Sequence, residues 1–237
     1  MLTPTRTLLL ATILTLGGTT WAQAQVTVGP RVGLNLANVS YKTDDKDDEP
    51  DTKLLISPQA GITLNAAFGN LALQPSLLFS QKGFKVKESD NVGPASYEIE
   101  SNTRLNYLEL PVNLVYTTGG TEGFQVFAGP YIGVGLGGKQ KSTYTVSGPG
   151  IDESGSETTK IKFAGKEKDN SDDFYINQPD YGFNGGIGYK KGPIQAQLGY
   201  SLGLNTLVSK DSDGKRPDDI KVHNRVIQFS LSYFFGS

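Results

Sequence analysis

Few residues in this chain are equipped for chemistry. The 237 residues include one histidine, His223, and no cysteine. Without cysteine there are no disulfides, thiolate nucleophiles or thiolate metal sites. A lipid-acting hydrolase would need His223 to take a proton from a nearby nucleophilic hydroxyl. The letters Gly-x-Ser-x-Gly occur once, at Gly199-Tyr200-Ser201-Leu202-Gly203, but inside a run of strand-like alternation and not at the strand-to-helix turn a nucleophile needs. His223 stands beside Asn224 and Arg225, with the nearest inward serine of its strand at Ser230. No catalytic residue is assigned. Gly133-Val134-Gly135-Leu136-Gly137-Gly138 matches the letter of G-x-G-x-x-G, but a dinucleotide site needs a strand, that turn and then a helix. Lys139 to Thr145 follow without helical periodicity. Here the inward glycines Gly133, Gly135, Gly186 and Gly188 are expected to make room for Phe127, Tyr131 and Tyr107.

Two acidic stretches could attract hard cations, which prefer oxygen ligands. One is Asp44-Asp45-Lys46-Asp47-Asp48-Glu49-Pro50-Asp51. The other, Asp211-Ser212-Asp213-Gly214, starts like an EF-hand loop, but Val222 stands where the bidentate glutamate should be. Both read as solvated loops, with weak bridging through Ca²⁺ or Mg²⁺ to lipopolysaccharide as the alternative. No cofactor and no resident metal is expected. Three charges remain, Arg31, Lys82 and Glu109, each set within an otherwise sparsely charged, strand-like run.

Those runs carry the main signal. In Val226 to Phe235, apolar Ile227, Phe229, Leu231, Tyr233 and Phe235 alternate with Gln228, Ser230 and Ser232. Side chains alternate across a strand, so one face is apolar and the other polar. Similar alternation recurs at about 26–41, 54–67, 71–86, 99–116, 124–138, 181–190 and 194–207. The connectors alternate too. Residues 68–70, 117–123 and 190–193 are short, whereas 42–53, 87–98, 139–180 and 209–220 are long and polar. The chain opens with an export signal: Arg6, an apolar Leu8–Leu16 run and Ala22-Gln23-Ala24 as cleavage site. The expected domains are a signal peptide, 1–24, and a barrel domain, 25–237.

Signal, face alternation and loop alternation together predict an all-β, transmembrane antiparallel up-and-down barrel of eight strands. Closure is required because an open edge in lipid would strand backbone hydrogen-bonding groups. A soluble lipocalin-like barrel is the competing fold, and would place the apolar face inside. Parity places Arg31, Lys82 and Glu109 in the lumen. They read as structural charges bracing a filled barrel, with Arg31 as the partner of Glu109. The alternative is a selectivity element for small ions. The segment 139–180 shows little apolar patterning and is expected to be a mobile loop.

Three stretches resemble the outer-membrane β-barrel family common in Bacteroidetes, which includes PorT-like porin family proteins. They are Val28-Gly29-Pro30-Arg31-Val32-Gly33-Leu34-Asn35-Leu36-Ala37-Asn38, Leu105-Asn106-Tyr107-Leu108-Glu109-Leu110-Pro111-Val112 and Ala128-Gly129-Pro130-Tyr131-Ile132-Gly133. The resemblance covers essentially the whole mature chain and implies a location in the cell outer membrane. It departs from the usual barrel ending in that Gly236-Ser237 follow the aromatic Phe235. The partners expected are outer-membrane lipid and lipopolysaccharide, and the barrel assembly machinery. A net charge of -2 gives no push toward nucleic acid. The expected function is structural or surface-interacting and not catalytic. The alternatives are a narrow porin-like conduit for small solutes and a lipid-modifying barrel enzyme.

Overall fold

The computed structural model describes residues 25–43, 50–166, 174–211, 213–217 and 220–236. The expected signal peptide and the acidic residues 44–49 lie outside the described residues. The described elements are all strands: β1 (Gln25–Lys42), β2 (Thr52–Lys53), β3 (Leu55–Phe68), β4 (Leu71–Val92), β5 (Ala95–Gly119), β6 (Glu122–Gly148), β7 (Ile151–Phe163), β8 (Phe174–Ile176), β9 (Pro179–Lys191), β10 (Ile194–Gly203) and β11 (Lys221–Tyr233).

Eight of them close a ring. β1 pairs with β3, β3 with β4, β4 with β5, β5 with β6, β6 with β9, β9 with β10, β10 with β11, and β11 with β1, all antiparallel. These are the eight runs expected from alternation. At one end the ring strands are joined by tight turns at 69–70, 120–121 and 192–193. Gly69, Gly120 and Gly192 there have φ of 65°, 80° and 55°, a region in which a Cβ is penalised.

The faces are inverted relative to a soluble barrel. Val32, Leu34, Ile56, Ile62, Leu77, Ile132, Leu198, Phe229 and Leu231 are exposed. Between them point Asn35, Gln59, Thr63, Gln74, Ser80, Gln197 and Ser230, all buried. The cross-strand register keeps the rows in step: Leu34 lies opposite Phe229 on the outside, and Asn35 opposite Gln228 on the inside. Polar groups fill the core and apolar groups meet the surroundings, which rules out the lipocalin-like arrangement. This is the arrangement lipid demands.

At the far end the expected loops are corrected. Residues 87–98 stay in the sheet as a β4–β5 hairpin turning at 93–94. Residues 139–163 are also paired. β6 leaves β9 after Val134 and pairs with β7 from Gly138 to Gly148. β2 adds to β4, and β8 runs parallel to β7. Apolar alternation is a poor guide here, because both faces of a sheet standing in water can be polar. The β-forming residues Thr143, Tyr144, Thr145 and Val146 nevertheless favour a strand. The strand expected to run to Leu207 ends at Gly203, and the last strand begins at Lys221 instead of Val226.

Candidate functional site

The lumen holds the concentrated polar chemistry of the molecule. Near the tight-turn end, the Asn65 amide donates to Thr27 Oγ1 at 3.2 Å, and Gln74 donates to Asn65 Oδ1 at 2.9 Å. Gln74 and Gln195 exchange amide hydrogen bonds, 2.9 Å one way and 3.1 Å the other. Gln74 is on β4 and Gln195 on β10, four places apart in the eight-strand ring, so this pair bridges the full width of the barrel. Higher up, Phe127 fills the section. A Cβ on Gly186 or Gly199 would sit 2.8 Å from its ring tip, and one on Gly186 would also sit 2.2 Å from Leu198 O.

Above Phe127 lies a charge cluster. Lys82 Nζ from β4 forms an ion pair with Glu109 of β5, and donates to Asp180 Oδ2 of β9 at 2.8 Å. Asn224 Nδ2 from β11 donates to the same Asp180 oxygen at 3.0 Å, and Tyr131 OH from β6 donates to Oδ1 at 3.2 Å. Five strands of the ring therefore converge on one lysine and two carboxylates. Lys82 and Asp180 are completely buried at 0% exposure. The Lys82 ammonium also lies over the Tyr131 ring, 4.5 Å from its centroid. A single unpaired ion here would be costly; the pairing and hydrogen bonds make the burial tolerable.

A greasy layer closes the mouth over this cluster. Val39, Leu105, Tyr107, Ile161, Ile176, Leu207 and Val222 are buried together, with Phe84 and Phe163 packed against them. Tyr107 meets Phe163 edge-on at 5.2 Å. Gly135 makes room for Phe163, not for the three aromatics expected: a Cβ there would fall 2.2 Å from that ring. Gly182 serves Tyr131 and Gly186 serves Phe127, while Gly133 faces Glu109 and Gly188 faces Gln197 and Gln125.

The three lumen charges named from sequence are all buried, but the expected pairing is corrected. Glu109 pairs with Lys82. Arg31 interacts with Glu109 only at longer range and makes no ion pair among the described residues. Asp180, Tyr131 and Asn224 complete the cluster; of these, only Tyr131 is marked as inward by the sequence. Asp180 falls at the end of the expected loop 139–180. Its strand begins at Pro179, and its parity with inward Gly182, Asn184 and Gly186 would have placed it inside.

The other candidate motifs dissolve. His223 shares the outward parity of Ile227 and Phe229, whereas Ser230 and Ser232 face inward, so base and hydroxyls lie on opposite faces. Asp211 Oδ1 accepts from the backbone amides of Asp213 and Lys215 at 3.0 and 2.8 Å, closing a turn on itself. The glycine run 133–138 houses a β-bulge: Asn106 faces Gly137 while Tyr107 faces Gly135, and Gly137 has φ of 152°. Bulges bend a strand and re-aim its side chains.

No curated protein sequence matches the chain significantly. Among solved structures, Ail, the attachment invasion locus protein of Yersinia pestis, aligns over 89% of this chain and 99% of its own, at 15% identity and a TM-score of 0.37. Neisserial surface protein A (NspA) aligns over 90% of this chain and 99% of its own, at 11% identity and a TM-score of 0.35. The model of the outer membrane protein beta-barrel domain family matches residues 21–209. The chain belongs to that family, and is a β-barrel protein of the cell outer membrane.

Proposed function

We propose that this protein is a non-catalytic, closed barrel whose work is done by the sheet it raises beyond the membrane. The barrel anchors; the raised strands of β4 to β8 present a surface. The observation that carries this reading is the pair of links across the lumen, Gln74 to Gln195 and Lys82 to Asp180. Each ties β4 to the far side of the ring, at two different heights. Eight-stranded barrels have interiors just wide enough for side chains to fill, and these two links place bonded side chains across the section at two levels, although other lumen amides such as Gln59 and Gln197 make no hydrogen bond among the described residues.

The tight-turn end is assigned to the periplasm and the raised sheet to the outside, as bacterial barrels have short periplasmic turns. The finer kinship with PorT-like barrels of Bacteroidetes belongs to the same reading. It rests on Tyr107-Leu108-Glu109-Leu110-Pro111 and Gly129-Pro130-Tyr131.

Two measurements test the reading. An epitope inserted at Pro149-Gly150, the turn between β6 and β7, should be labelled on intact cells. Vesicles carrying the full mature chain should not swell in small sugars. Labelling only after permeabilisation would reverse the topology, and porin-like swelling would replace the anchor with the conduit.

A further inference from the structure

Directly above the apolar belt, the outward face of β5 and β6 changes from apolar to basic, and β7, which joins the sheet only there, continues the basic face. Arg104, Lys139 and Lys160 lie side by side in register across the three strands. Lys141 stands two residues further along β6 on the same face. Gly138, Leu105 and Ile161 form the adjacent row on the opposite face: a Cβ on Gly138 would touch Leu105 at 3.0 Å and Ile161 at 3.2 Å, and those two residues are buried. The cations therefore point outward. Below them on β6 are Ile132, Val134 and Leu136, exposed members of the belt.

Like charges directly opposite one another weaken a sheet. With strands about 4.8 Å apart, the Arg104–Lys139–Lys160 row places three cations within roughly 10 Å. Lys139, Lys141 and Lys160 make no ion pair among the described residues. Arg104 donates to the neutral amide oxygen of Gln81 at 2.9 Å. The nearest carboxylate on this face of β5, Glu100, is engaged elsewhere: Asn102 donates to it at 3.1 Å, and Lys85 lies at 3.9 Å. The bulge at Leu136-Gly137 is what turns these lysines outward. Below it, the outward residues of β6 are even-numbered; above it they are odd-numbered.

We infer that this row binds the phosphate groups of an anionic lipid in the adjoining leaflet. The site meets its ligand at the right depth. Headgroups begin where the hydrocarbon ends, and the row starts within three residues of Leu136. Charge complementarity would then replace the repulsion the bare row carries. With the raised sheet outside, as proposed above, the lipid is the phosphorylated glycolipid of the outer leaflet.

The test uses the full mature chain folded in detergent micelles. Binding of phosphorylated lipid A is compared with that of the dephosphorylated lipid and of inorganic pyrophosphate. Wild type should prefer the phosphorylated lipid, and its binding should weaken with salt. The triple change Lys139→Gln, Lys141→Gln and Lys160→Gln should lower affinity on the order of a hundredfold, since each cation near an anionic surface is worth a factor of about five. The corresponding Lys→Arg triple should keep it. Without lipid, the glutamine triple should resist heat at least as well as wild type, because it loses repulsion. If it fails to fold, the single changes should each lose about fivefold.

Unchanged binding by the glutamine variants, or equal binding of dephosphorylated lipid, would overturn the inference. Pyrophosphate binding as tight as lipid would assign the row to a soluble anion instead. The assay does not depend on sidedness, so an error in topology would leave binding intact and move it to the other leaflet.

Discussion

The lower and upper halves of β5 and β6 obey opposite rules, although each is one continuous strand. In the belt, Leu108, Leu110, Leu114, Val126, Ile132 and Val134 face out, while Glu109, Asn113 and Gln125 face in. Above it, Arg104 and Lys139 face out, and Leu105 packs inward with Tyr107 and Ile161. The backbone ladder is the same in both halves. What changes is the surrounding solvent: the apolar face follows lipid in one half and turns away from water in the other. The handover falls at the Leu136-Gly137 bulge. A polar lumen in the belt and an apolar plug above it are two results of one rule.

Several substitutions would break or sharpen this comparison. The largest effect is expected at Asp180→Leu, which leaves Lys82 with Glu109 alone and removes the acceptor for Asn224 and Tyr131. Breaking a buried pair costs about 3–5 kcal/mol, readable as a lower urea midpoint for unfolding from lipid vesicles. A double-mutant cycle should show Glu109 coupled to Lys82 and only weakly to Arg31; strong coupling to Arg31 would restore the pairing first expected from sequence.

Next comes the outward face. Ile132→Lys puts a cation in the belt and should cost roughly 2–4 kcal/mol near the bilayer midplane. Lys139→Leu, a few residues along the same strand, should leave folding nearly unchanged. Equal losses from the two would deny that lipid ends between them. Gln74→Leu orphans the buried Gln195 amide and should cost about 1–3 kcal/mol. Adding Gln195→Leu should recover part of that, because two apolar partners replace an unsatisfied group; simple addition of the losses would mean the cross-lumen pair is not formed. The smallest change is Gly137→Ala. Open space surrounds that position, so only its positive φ is penalised, at about 1 kcal/mol. A much larger loss would show that the bulge supports more than a change of parity.

The ring was legible in the sequence because each belt strand must solve the same problem, apolar to lipid and polar to the lumen. Alternation such as Ile227, Phe229, Leu231 against Gln228, Ser230, Ser232 records that directly. The raised strands were not legible as strands, because Lys139 to Gly148 meets water on at least one face and carries no such record. Their register lies instead in Thr and Tyr content and in the turn residues Pro149-Gly150. Parity located Arg31, Lys82 and Glu109 on the inner face but could not pair them. Pairing depends on the stagger of β4 against β5 and β9, which one strand's pattern does not contain. Asp180 escapes for a simpler reason: the alternation becomes visible only at Tyr181, two residues into a strand that begins at Pro179.

The account turns on a lumen closed by its own side chains, and electrical recording tests that most directly. Residues 25–237 inserted into a planar lipid bilayer should give no steady unitary current at moderate voltage, because Gln74–Gln195, Phe127 and the Lys82–Glu109–Asp180 cluster close the section at successive heights. Reproducible ohmic steps, altered in ion selectivity by Lys82→Gln or Glu109→Gln, would contradict the account and make those charges the lining of a conduit.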